Sequence, residues 1–212
     1  MSKYRIRYAR GEEAKFISQL DFMRTMTRAL RRAGLPLQYS NGFNPHAMLS
    51  VAVPLAVGVT GGSECMDVTL EHDVDAPAAV GALQAALPVG IRVLDMHLAD
   101  DNLPFKRIAG ADYHVTFESD KAPDMAAFLA QETIEADKRS KKGMRRVDIR
   151  PMIFRIEPEE NGNGWNMRLQ AGEPSLKPEL VLSALAKQQG LAIGGVRVHR
   201  LALYFDDGTE VV

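Results

Sequence analysis

The chain has 212 residues, 46% of them hydrophobic and 25% charged, with a net charge of −1. These values belong to a globular chain rather than a disordered one, and the length suits one compact domain or two small ones. A single cysteine, Cys65, excludes an internal disulfide framework and a cysteine-only metal site.

The first element is "KYRIRYA", where Tyr4, Ile6 and Tyr8 alternate with Arg5 and Arg7 as in a half-buried strand. A helix follows from Ser18, which can cap it, with Asp21 as the capping-box acid three residues on. Gly34 and Pro36 end the helix. Leu20, Met23, Ala29, Leu30 and Ala33 form its expected apolar face. The loop "YSNGFNPHAMLS" comes next, then two strand-like runs, "MLSVAVPLAVGV" and "ECMDVTLEH", with "VTGGS" between them reading as a hairpin turn. Cys65, beside Met66 in the second run, reads as an inert, half-buried thiol. A second helix starts after Asp75 with Pro77 in its first turn, and "IRVLDMHL" closes the unit as a strand.

Residues 100–109 are polar and read as a linker, after which the order repeats. "ADYHVTFE" is a strand and "PDMAAFLAQE" a helix. "RRVDIRPMIFRIEP" and "GWNMRLQAG" pair across "EENGNG". "KPELVLSALAKQQG" is a helix and "VRVHRLALYF" the last strand. The expected fold class is therefore α+β: two tandem ferredoxin-like halves, β-α-β-β-α-β, with antiparallel sheets, over 1–99 and 110–212. No apolar run reaches the roughly 18 residues of a membrane span. The N-terminal "MSKYRIRYAR" lacks the apolar core of a signal peptide. A soluble, cytoplasmic protein with no membrane partner is expected.

The net charge hides an asymmetry. Lys138, Arg139, Lys141, Lys142, Arg145, Arg146 and Arg150 fall within residues 138–150, where Asp148 is the one acid. Clustered charge on a near-neutral chain says more than its mean. In "DKRSKKGMRR", Lys141 and Lys142 precede Gly143 and Arg145 and Arg146 follow it. This suits a flexible hairpin end reaching for phosphates, or a charged loop that keeps a sheet edge soluble. On the first helix, Arg24, Arg28, Arg31 and Arg32 recur at spacings of three and four. They form either a solvated face, with Asp21 neutralising Arg24, or a phosphate-tracking ridge.

In the quoted loop, Asn41-Gly42 and Asn44-Pro45 are turn chemistry. Tyr39 and Phe43 either pin the loop to the body or stack on a base. His46 is open to a structural role, to ligand contact or to proton transfer, since imidazole titrates near neutrality. His72, His97, His114 and His199 stand singly, without metal-ligand spacing, so no metal is expected. There is no glycine-rich nucleotide loop, Walker sequence, nucleophile elbow or three-cysteine cluster motif, and no cofactor is expected.

The stretch "FISQLDFMRTMTRALRRAGLPLQYSNGFNPHAMLSVAVPLAVGV", with "GSECMDVTL", "AGADYHVTF" and "KRSKKGMRRVDIRPMI", resembles the radical-SAM-linked family of unknown function over nearly the whole chain. Members of that family occur fused to, or encoded beside, radical-SAM proteins with cobalamin-type domains. Others stand alone near genes for an RNase E/G-type ribonuclease and ribosomal proteins. The family often has His where this chain has Gln19, so the resemblance implies a capping or contact role there rather than catalysis. It carries over no catalytic residues. The duplicated order also resembles tandem ferredoxin-like proteins of the CRISPR-repeat-processing type, a likeness of fold alone.

Together these readings lead to an RNA-binding or RNA-handling module, more a binder than an enzyme, with a basic groove between the two halves. Arg24, Arg28, Arg31, Arg32, Lys141, Lys142, Arg145 and Arg146 would hold phosphates. Tyr39, Phe43, Asn44 and His46 would contact an unstacked base. Two alternatives stand beside it. One is an accessory or substrate-presenting subunit of a radical-SAM enzyme, with that enzyme or a ribonuclease as partner. The other is a metal-independent endoribonuclease using His46.

Overall fold

A computed structural model describes residues 1–140, 143–159 and 164–212. It has ten strands and four α-helices among these residues, an α+β composition built on mostly antiparallel sheet. The chain forms two compact units, Met1–Ile108 with Ala202–Val212, and Ala109–Leu201. No helix among the described residues is long and apolar enough to cross a membrane.

The first unit runs β1 (Ser2–Arg10), α1 (Gln19–Arg32), β2 (Leu49–Val51), β3 (Thr60–Leu70), α2 (Ala76–Ala86) and β4 (Ile91–Leu98). Its strands lie in the order β4-β1-β3-β2, every neighbouring pair antiparallel. The alternation of β1 buries Tyr4, Ile6 and Tyr8 with Phe22, Met26, Leu30 and Leu83 in one apolar core. The other side of β1 is not all solvent. Arg5 is 2% exposed. Its Nε and Nη2 donate to the two oxygens of Asp67 at 2.8 and 3.2 Å, and Phe105 covers the guanidinium at 4.4 Å. A bidentate partner and an aromatic lid are what let an arginine occupy a position read as solvent-facing.

Ser18 caps α1 as the sequence suggests: its Oγ accepts from the Asp21 backbone N–H at 3.2 Å. The buried face matches the expected one at Ala29 and Leu30 and differs elsewhere. Phe22, Met26, Ala29 and Leu30 face the core, with Phe22 stacked on Tyr8 at 5.1 Å, while Leu20 is exposed. Both stripes are apolar, so spacing alone did not choose between them.

"VTGGS" is not a turn, because β3 runs through it from Thr60. A Cβ on Gly61 would lie 2.4 Å from Glu64 Oε1, so the glycine makes room for a side chain that is itself buried. Cys65 is fully buried, not half-buried, and its Sγ donates to the Val211 carbonyl at 3.4 Å.

The second unit runs β5 (Ile108–Ser119), α3 (Met125–Leu129), β6 (Glu135–Ser140), β7 (Gly143–Asp148), β8 (Ile153–Pro158), β9 (Trp165–Gln170), α4 (Pro178–Gln189) and β10 (Ile193–Phe205), which ends in the first unit. β8, β9 and β5 are consecutive antiparallel neighbours, and β10 lies on the other side of β5.

The single long strand expected over 145–158 is divided. Its first part belongs to a separate two-stranded ribbon, β6–β7, and Arg150–Met152 form a 3-10 turn before β8. Asp148 Oδ1 fixes the break by accepting from the backbone N–H of Ile134 and Arg150, at 2.9 and 3.0 Å. α3 has only five of the expected ten residues. Gln131 Nε2 takes the carbonyl of Phe128 at 3.2 Å, one that a longer helix would bond through its own backbone.

Candidate functional site

The surfaces of the first unit fall on α1 and the loop after it. Arg24, Arg28, Arg31 and Arg32 are all exposed. Arg24 pairs with Asp21 at 3.2 Å, and Arg32 donates to the Ala86 carbonyl. The Ser18 hydroxyl first, then the Arg24 and Arg28 guanidiniums, hold Asp21 below the usual carboxylate range. Arg28 and Arg31 make no ion pair or hydrogen bond among the described residues. The helix ends at Arg32, seven residues before Tyr39. Ser18 supplies the cap, so Gln19 is left as the first helical residue with no capping duty.

The loop is tied at its root and free at its tip. Gln38 N–H donates to the Thr69 carbonyl, Met48 N–H to the Gln38 carbonyl, and Tyr39 bridges Ala47. Tyr39 is half-buried against the core, which is the pinning role for that aromatic. Ser40 N–H donates to the His46 carbonyl at 2.9 Å, and the His46 N–H returns to Ser40 Oγ at 3.1 Å. The same hydroxyl meets His46 Nδ1 at 2.8 Å, which orients the exposed ring. Between these ties, Asn41 to Pro45 are exposed, with Gly42 at a φ of +130° and Phe43 wholly in solvent. A phenyl ring held out of the core by a closed loop is free to stack on a ligand. Among the described residues the His46 ring meets the Ser40 hydroxyl and no carboxylate.

The second unit carries the basic ribbon. Lys138 on β6 stands opposite Arg145 on β7, and Asp137 opposite Arg146. Strand alternation places these two pairs on opposite faces. On one face charge is compensated: Arg146 lies 3.3 Å from Glu135 and 3.9 Å from Asp137, and Lys187 is 2.7 Å from Asp137. The Lys187 ammonium first, then Arg146, holds the Asp137 carboxyl below its usual range. On the other face, among the described residues, Lys138 meets only the Ser175 carbonyl at 3.3 Å and Arg145 has no ion pair. Met144, next to Gly143, is also exposed. Lys141 and Lys142 lie outside the described residues.

The ribbon thus brings Lys138 and Arg145 together on one face and sets Arg146 among acids on the other. Lys138 lies in the charge cluster but is not among the phosphate contacts expected from the sequence. The alternation of Glu135 and Asp137 would have singled it out, since it assigns the acids to one face and Lys138 to the other. No group of three or more potential metal ligands occurs among the described residues.

Residues 3–178 match a family described as an uncharacterized protein conserved in bacteria (DUF2344). No curated protein matches the chain. Among solved structures, the chain is similar to the crystal structure of an unknown protein from Galdieria sulphuraria. The identity is 14% and the TM-score 0.28, over 100% of this chain and 99% of that one.

Proposed function

We propose that this chain, which belongs to the uncharacterized bacterial family DUF2344, is a non-enzymatic RNA-binding or RNA-handling module. One observation carries the reading: Lys138 and Arg145 face each other across the β6–β7 ribbon with no acid between them. Like charges directly opposite in a sheet are destabilising, and a polyanion is the ligand that reverses the sign. The wholly exposed Phe43 supports the same reading, since an aromatic ring outside the core stacks on unpaired bases without regard to sequence. Arg28 and Arg31 are further exposed cations, and Asn44 and His46 flank the ring as polar contacts.

The strand orders, β4-β1-β3-β2 in the first unit and β10-β5-β9-β8 in the second, support reading the chain as two tandem ferredoxin-like halves, with α3 as the first helix of the second and the ribbon inserted between α3 and β8.

The test is binding of single-stranded and stem-loop RNA, followed by anisotropy over a range of salt. Affinity is expected to fall linearly on a log–log plot. Neutralising Lys138 and Arg145 together should flatten the slope by roughly 1.4–1.8 units, at roughly 0.7–0.9 per phosphate contact. Absence of RNA affinity at low salt would overturn the proposal.

A second reading, an accessory subunit docking on a radical-SAM enzyme, is favoured by a separate feature. Phe16, in the turn ahead of α1, and Leu20, in the first turn of α1, are 72% and 61% exposed. Two large apolar side chains so placed suit a protein partner better than a phosphate backbone.

A further inference from the structure

We infer that the cleft between β6 and the start of α4 is a binding site for a single nucleotide. The inference rests on the RNA reading and gives it a specific place where one extruded base and its phosphate would lodge. The cleft encloses about 480 Å³, within the range of small-ligand sites. It is formed inside the second unit by Lys138 of β6, by Ser175 and Lys177 ahead of α4, and by Leu180 and Ser183 on its first turns.

The chemistry of the walls is divided in a way that matches a nucleotide. The acid on the β6 side, Asp137, is already committed to Lys187 at 2.7 Å and lies 3.9 Å from Arg146, so it does not repel an anion. The cations are not committed in this way. Lys138 Nζ is held at the wall by a neutral carbonyl, Ser175 O at 3.3 Å, and Lys177 has no ion pair among the described residues. A phosphate would displace no existing ion pair from either. Leu180 is half-buried and offers an apolar surface to the face of a base. The Ser175 and Ser183 hydroxyls donate or accept at a base edge. Glu179, also on the wall and without an ion pair among the described residues, accepts from exocyclic amino groups, and its charge is outweighed by the two lysines.

Lys138 is shared between the cleft and the ribbon, since it stands opposite Arg145. A strand of RNA held along Lys138 and Arg145 would therefore pass the mouth of the cleft, and single-stranded RNA is commonly read through bases splayed into such recesses.

The experiment is an NMR titration of the isotopically labelled full chain with guanosine and adenosine monophosphates at millimolar concentration, with ribose 5-phosphate as control. The nucleotides are expected to shift the amides of residues 137–138 and 175–183. Ribose 5-phosphate should bind about tenfold more weakly, since the base contributes contacts of its own. Ser183→Trp fills the cleft from an exposed helix position and should abolish the shifts while leaving the spectrum folded. It should also leave the salt slope for longer RNA unchanged, because the ribbon cations remain. Lys177→Gln should weaken the nucleotides without blocking the cleft. If the nucleotides leave these amides unmoved, or if Ser183→Trp binds them as well as the wild type does, the inference is overturned. Longer RNA binding with a normal salt slope beside either result would show that the cleft assignment, and not the RNA reading, had failed.

Discussion

Lys138 on β6 and Arg145 on β7 are direct cross-strand partners, two cations on one face of a two-stranded ribbon. A pair chosen for stability would carry opposite charges, as Asp137 and Arg146 do on the other face. Arg145→Gln should therefore raise stability slightly, by about 0.2–1 kcal/mol, while weakening RNA binding. Thermal melts run beside anisotropy check both signs. A variant that is less stable, with affinity unchanged, would make the pair structural.

Phe43 gives a prediction with the opposite electrostatic signature. Its ring contributes nothing to the core, so Phe43→Ala should leave the melting temperature unchanged. If the ring stacks on a base, the variant loses about 1–3 kcal/mol of RNA affinity with the salt slope intact. His46→Ala should fold normally, because the bonds that close the loop through its backbone N–H and carbonyl remain. Circular dichroism and binding at two salt concentrations separate these outcomes.

The Arg5–Asp67 pair predicts where the first unit is most vulnerable. Both side chains are buried, so Asp67→Ala leaves an uncompensated guanidinium and should cost about 3–5 kcal/mol of stability. Replacing both residues by apolar ones, Arg5→Met with Asp67→Leu, should recover much of that loss. Denaturant melts of Arg5→Met, Asp67→Leu and the double variant provide the check. Additive losses would show that the pair is not coupled.

Burial pushes the Cys65 thiol from 9.0 up to about 12. The native protein should resist a thiol reagent near neutral pH and react fully once unfolded. A thiol with a raised folded pKa favours the native state below the unfolded value. That contribution declines as pH rises from 9.0 toward about 12, because the unfolded chain gives up its proton first. Cys65→Ala should remove this part of the alkaline decline, measured by denaturant melts across that range.

Much of the fold was legible because local chemistry and tertiary need agreed. The alternation of Tyr4, Ile6 and Tyr8 and the Ser18 cap both appear as the sequence suggests. The readings that failed did so where a distant residue decided. Gly61 and Gly62 look like a turn until Glu64 is seen folded against Gly61. Arg5 looks solvent-facing until Asp67 and Phe105 close over it. The run from Arg145 to Pro158 looks continuous until Asp148 captures two backbone donors. At the candidate site, the exposed loop and the charge cluster were visible in composition. The division of the cluster into a paired and an unpaired face required the ribbon's register, in which Ser140 stands opposite Gly143.

The central claim, that the ribbon holds RNA, is tested most directly by ultraviolet crosslinking of the full chain to RNA and mapping of the adducts by mass spectrometry. Adducts are expected on the peptides that carry Lys138 and Met144–Arg146 and on the loop peptide containing Phe43, and they should vanish when the salt is raised. Absence of crosslinks at low salt, or adducts confined to peptides carrying none of these residues, would contradict it.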